Sequence, residues 1–129
     1  MNETAREWLA KAEADYATAQ RELKVAENPN FDAVCFHAQQ CIEKLMKAIL
    51  ISHRVAPSRT HDLGVLSRSL AAVRASWSWP AEDLRFLSQA AVAFRYPGES
   101  ADREDAIQSF DIATRLRVDL RPLLQRTPG

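Results

Sequence analysis

Apolar residues in this chain return at helical spacing in five stretches, and every gap between them holds a proline: Pro29, Pro57, Pro80 and Pro97. Proline has no amide to donate and crowds the turn before it, so each marks a place where one helix must stop. Only three glycines occur, one of them terminal. That leaves little of the turn chemistry that a meander of strands requires, and no glycine-rich loop to cradle a triphosphate. The pattern predicts an all-α fold, an antiparallel bundle of four long or medium helices and one short one.

The first helix is expected from about Glu3 to Ala26, with Ala5, Trp8, Leu9, Ala12, Tyr16, Ala19 and Leu23 on one stripe, Asp15 at its edge, and Asn28-Pro29-Asn30 as the break. The second runs from about Asp32, read as its N-cap, to Ser52 or Arg54. Thr60-His61-Asp62 caps a shorter third helix carrying Leu63, Leu66, Leu70 and Val73. Pro80 suits the first turn of the fourth, with Leu84, Leu87, Ala91 and Phe94, and Trp77 and Trp79 plug the joint before it. The last begins near Ser100 or Asp102, places Glu104 and Asp105 in its first turn and carries Ala106, Phe110, Ala113, Leu116, Leu120 and Leu124. Pro122 falls in its last turn, and the terminal RTPG should fray.

At 129 residues the chain has the size of one domain, with a core at about 3–124 and a tail at 125–129, and needs no metal or disulfide to fold. Seventeen basic residues balance seventeen acidic ones, which argues against a generic nucleic-acid coat while leaving room for a local basic patch. No apolar run approaches the roughly 20 residues that span a bilayer, and MNETAREWLAKAEADY has no signal-peptide core, so a cytoplasmic location is expected. Cys35 and Cys41, about 9 Å apart along one helix, read as reduced thiols in or beside the core. His37, His53 and His61 show no zinc spacing, and no metal is expected.

The segment FHAQQCIEKLMKAIL, residues 36–50, bears the most chemistry. On a helical wheel His37, Gln40, Lys44 and Lys47 fall within an arc of roughly 80° beside the apolar arc of Val34, Ala38, Cys41, Leu45, Ala48 and Ile49. Such an edge can bind an anion; the alternative is an ordinary solvated face. Two further segments add suitable groups: His61 with Asp62 at the start of the third helix, and Arg95-Tyr96 at the end of the fourth. Arginine forks onto a phosphate, and Tyr or His can stack or hydrogen-bond. Asp62 can equally be only a cap, and Tyr96 can be only packing beside Pro97. Glu43 is set to pair with Lys47 at i,i+4 as a surface ion pair, and Cys35 lacks any nucleophile motif.

Three stretches in order, FHAQQCIEKLMKA at 36–48, THDL at 60–63 and FRYPG at 94–98, together with the Trp-bearing first helix that contains Asp15, resemble the HEPN family. The resemblance spans roughly residues 8–124. It implies a four- or five-helix bundle, commonly a homodimer, whose members bind nucleotides, cleave RNA as toxins of toxin–antitoxin pairs, or accompany a minimal nucleotidyltransferase. Ribonucleolytic members carry an Arg and, roughly four to six residues later, a His near the start of the last helix, where a base can act on an RNA 2′-hydroxyl. Here Arg95 is followed by YPGESADRED, without a histidine. Arg54 and His61 have the spacing but occupy the loop between the second and third helices. The missing His also leaves the modified tyrosine of some toxin members without a counterpart at Tyr96. The expectation is therefore a noncatalytic nucleotide- or phosphate-binding module, dimeric, with a nucleotidyltransferase partner and no cofactor beyond the nucleotide itself, using His37, Gln40, Lys44, Lys47, His61, Arg95 and Tyr96. The alternatives are a metal-independent ribonuclease toxin and a purely structural dimerisation module.

Overall fold

In the computed structural model, which describes residues 1–125, five α-helices follow one another: α1 (Glu3–Leu23), α2 (Phe31–Ser52), α3 (Leu63–Val73), α4 (Ala81–Ala93) and α5 (Arg103–Leu120), closed by a 3-10 turn at Arg121–Leu123. No strand occurs among the described residues, and the fold is the all-α bundle the proline spacing predicts. Helix α2 is its axis. It packs against all four other helices, most extensively against α1 and then α5, because its apolar arc is continuous from Val34 to Leu50 and is removed from water throughout. Opposite it, α1 presents Ala5, Ala12 and Ala19, all fully buried, at intervals of seven. Small side chains at that spacing let two helix backbones approach closely. The larger Leu9, Tyr16 and Leu23 pack along the seam half-buried.

The helix ends explain where the expected boundaries shift. Helix α1 stops at Leu23 rather than Ala26, and Asn28 turns through a left-handed conformation (φ 51°) that asparagine tolerates. Asn30, not Asp32, caps α2: its side chain accepts from the Ala33 amide at 2.9 Å. Asp32 sits inside the first turn and accepts instead from the Ala101 amide at 2.7 Å, pinning the approach to α5. Asp62 caps α3 by accepting from the Gly64 amide at 2.8 Å. Pro80 occupies the cap position of α4 rather than its first turn, which Glu82 and Asp83 fill. Asp102 and Asp105 form a reciprocal capping box on α5, so Asp102→Ala is expected to cost about 1 kcal/mol, read as a lowered midpoint in urea unfolding.

Between α3 and α4, Trp77 is buried, donates from Nε1 to Ser67 Oγ at 3.0 Å and stacks on Trp79 with centroids 5.9 Å apart. At the other end of the bundle the Gln125 amide donates to Ser52 Oγ at 2.9 Å; the RTPG tail lies outside the described residues. Both cysteines are buried free thiols. Burial pushes Cys35 up and Cys41 up to about 12, so neither forms a thiolate at neutral pH. Among the described residues no helix is long and apolar enough to cross a membrane.

Candidate functional site

Two buried carboxylates organise the polar edge of α2. Asp15, brought in by α1 and only 8% exposed, takes His37 Nδ1 on Oδ1 and the Lys44 Nζ donor on Oδ2, each at 2.7 Å. Glu43, 3% exposed, sits one turn further along between α2 and the loop before α3. Its Oε1 accepts from Gln39 Nε2 at 3.0 Å and from Gln40 Nε2 at 3.4 Å, and meets His61 Nδ1 at 3.0 Å. Its Oε2 accepts from Lys47 Nζ at 3.1 Å.

The Glu43–Lys47 pair is therefore an i,i+4 pair, as the spacing predicts, but it is buried rather than on the surface, with side chains 4% and 9% exposed. The close approach of α1 is the reason: Trp8 lies with its ring centroid 5.5 Å from Lys47 Nζ and covers it. Burial alone raises the Glu43 pKa, but hydrogen bonds from Gln39, His61 and Lys47 and the Lys47 charge outweigh it, and the carboxyl ends below the ordinary glutamate value. Buried charge of this kind persists only when each lone pair finds a donor, and no buried side-chain polar atom among the described residues lacks a partner.

The expected site residues divide accordingly. The polar groups of His37, Lys44 and Lys47 are engaged by Asp15 and Glu43. Gln40, His61 and Arg95 line one recess of about 190 Å³, whose walls also include Phe36, Gln39, Ser88, Ala91 and Val92. His61 contributes a side chain 81% exposed and tethered at Nδ1, which leaves Nε2 open to a ligand. Arg95 lies with its guanidinium 5.7 Å from the Phe36 ring centroid. Lys47 and His61 meet again in a second hollow with Trp8 and Arg59. His37 and Arg95 border a third, beside Phe36 and Phe94. Tyr96 is 67% exposed, and Arg54 stands exposed just past α2 in a left-handed conformation (φ 65°).

Three residues outside the expected set shape this region. Gln39, 2% exposed, donates to both Glu43 and the His61 carbonyl, each at 3.0 Å, and so fixes the loop that carries His61. In sequence it is marked by its place in the FHAQQCIEKLMKA stretch and by its position four residues before Glu43. Arg68 and Arg85 line a groove of about 540 Å³ between α3 and α4 that begins at His61. In sequence they look like ordinary solvated helix positions. Gln40 Nε2 donates to Gln39 Oε1 at 2.8 Å and to Glu43 Oε1 at 3.4 Å. The geometry therefore offers an imidazole oriented by a carboxylate beside the Arg95 guanidinium in the recess, with Arg68 and Arg85 along the adjoining groove, a set suited to holding an anion or moving a proton beside one.

Five helices, with α2 at their centre, define a small all-α module. The HEPN domain model matches residues 5–121, and the chain belongs to the HEPN family. Its fold is similar to that of TT1696 from Thermus thermophilus, at 24% identity over 93% of this chain and 98% of that one, with a TM-score of 0.74. It is also similar to ST0689, an archaeal HEPN homologue, at 20% identity over 93% and 97% of the two chains, with a TM-score of 0.68. No curated protein matches the chain in sequence.

Proposed function

We propose that this chain is a nucleotide- or phosphate-binding helical module whose ligand sits in the recess of Gln40, His61 and Arg95. The observation that carries the reading is the contrast between the cations around that recess: Lys44 and Lys47 are held by carboxylates at 2.7 and 3.1 Å, whereas Arg95 rests only on the face of Phe36. A guanidinium without an acidic partner beside a tethered imidazole is an anion site ready to fill. Lys47 serves it indirectly by holding the Glu43 that tethers His61, His37 and Lys44 are tied to Asp15 beside it, and Tyr96 follows Arg95 with an exposed ring. In this reading the module is noncatalytic, forms a homodimer and works beside a nucleotidyltransferase, as other members of the family do.

A panel of ATP, GTP and their mono- and diphosphates is expected to raise the melting temperature. A ligand at roughly 100 times its Kd adds about 2.7 kcal/mol. Arg95→Ala is expected to weaken binding by about tenfold or more, since a charge-assisted contact contributes above 1.4 kcal/mol. A full panel without a shift would remove the reading.

One observation favours a second reading. Although no histidine follows Arg95 in sequence, His61 lines the same recess and its Nδ1 is held by Glu43, the arrangement that orients an imidazole as a general base. In that version the protein is a metal-independent ribonuclease. Cleavage of single-stranded RNA lost in His61→Ala would decide for it, and inert behaviour toward RNA would decide against it.

A further inference from the structure

The recess of Gln40, His61 and Arg95 does not end at His61. His61, Ser88 and Val92 line both it and the larger groove between α3 and α4, so the two concavities run into one another along one side of α4. The groove of about 540 Å³ is walled by Arg68 from α3 and Arg85 from α4. Neither enters any ion pair among the described residues, and neither does Arg95. The one carboxylate on the groove, Asp62, is turned to the Gly64 amide as the cap of α3. Asp62 Oδ1 and Arg68 Nη1 both flank Gly64, 3.1 and 3.7 Å from where a Cβ would stand.

Three guanidiniums without ion-pair partners among the described residues border these joined concavities, and an anion lying there gains from each one it reaches. A single phosphate in the small recess reaches only one end of this array. An anion that extends past His61 also reaches the other end, at Arg68 and Arg85. Resting on the anion-binding reading of the recess, the geometry points to a contiguous phosphate chain as the ligand's recognised part: a tri- or longer phosphate lying from Arg95 past His61 to Arg68 and Arg85. Arg68 and Arg85 are the residues that measure its length.

Titration calorimetry on the full chain at fixed ionic strength, with inorganic phosphate, pyrophosphate and tripolyphosphate as probes, tests this. Affinity is expected to rise along that series, with tripolyphosphate at least tenfold tighter than phosphate. Arg68→Gln and Arg85→Gln should each reduce tripolyphosphate binding about tenfold and phosphate binding by a clearly smaller factor, and Arg95→Gln should weaken all three probes. Equal affinity for the three, or tripolyphosphate binding indifferent to Arg68 and Arg85, overturns the inference even if nucleotides still bind through Arg95. Absence of binding by all three probes overturns it too. Tripolyphosphate held through Arg68 and Arg85 by a protein that ignores AMP, ADP and ATP would instead uphold it and remove the nucleotide reading.

Discussion

Glu43→Ala is expected to lower stability by about 3–5 kcal/mol, with a fall in melting temperature on the order of 10 °C or more. The substitution strands Lys47, whose side chain is 9% exposed, as a buried charge with only the Trp8 ring beside it. It also removes an acceptor of Gln39 and the tether of His61. The double variant Glu43→Leu with Lys47→Met separates stability from site. Replacing both members of a buried pair by apolar groups of similar size is often neutral or stabilising, and Gln39 keeps the His61 carbonyl as an acceptor at 3.0 Å. Most of the stability should return, but His61 would lack its carboxylate, so nucleotide or phosphate binding should stay weakened.

Acid unfolding supplies the matching pH test. The Glu43 carboxyl is depressed in the native state, so the unfolded chain binds its proton first as pH falls. The stabilisation is fully present above the ordinary glutamate value, near pH 4.3, and is lost as pH drops through the lower native value. The stability gap between wild type and Glu43→Ala should therefore hold constant from neutrality to about pH 5 and narrow below about pH 4. A gap unchanged down to pH 2 would mean that the fold does not depress the Glu43 carboxyl, and a gap that widens on acidification would mean that the fold holds it as the neutral acid.

The helices were readable because their signals are local. Four prolines punctuate five periodic stretches, and Asp62 and Asp102 cap the helices they precede. Where a boundary moved, a competing partner moved it: Asp32 is as good a cap as Asn30 by residue type, but the Ala101 amide, 69 positions away, takes its side chain. The site was less legible for the same reason. The wheel of α2 put His37, Gln40, Lys44 and Lys47 on one edge, yet nothing in that segment says that Asp15, 29 residues before Lys44, is buried against it. Once α1 docks, the edge stops being a row of free cations. The groups left for a ligand are those on the loop and helix ends around His61, where Arg68 and Arg85 carry no periodic or motif signal of their own.

The second large effect lies at the joint that holds that groove open. Trp77→Ala is expected to cost about 3–5 kcal/mol, the loss of a buried indole and the cavity left behind, because the ring is 7% exposed, stacked on Trp79 and bonded to Ser67 of α3. Trp77→Phe keeps an aromatic ring but leaves the Ser67 hydroxyl without its indole donor, so about 1–3 kcal/mol should go. Far-UV circular dichroism in urea measures both, and near-equal midpoints for wild type and Trp77→Ala would show that the joint does not depend on the indole. The functional consequence follows from position. Trp77 lies in the connection between the two helices that wall the groove, α3 carrying Arg68 and α4 carrying Arg85. Loosening it lets the guanidiniums drift apart without touching either of them. At a temperature where Trp77→Ala is still helical, it should bind tripolyphosphate no better than Arg68→Gln does, while single phosphate, held at the α2 side by His61 and Arg95, should bind as in the wild type.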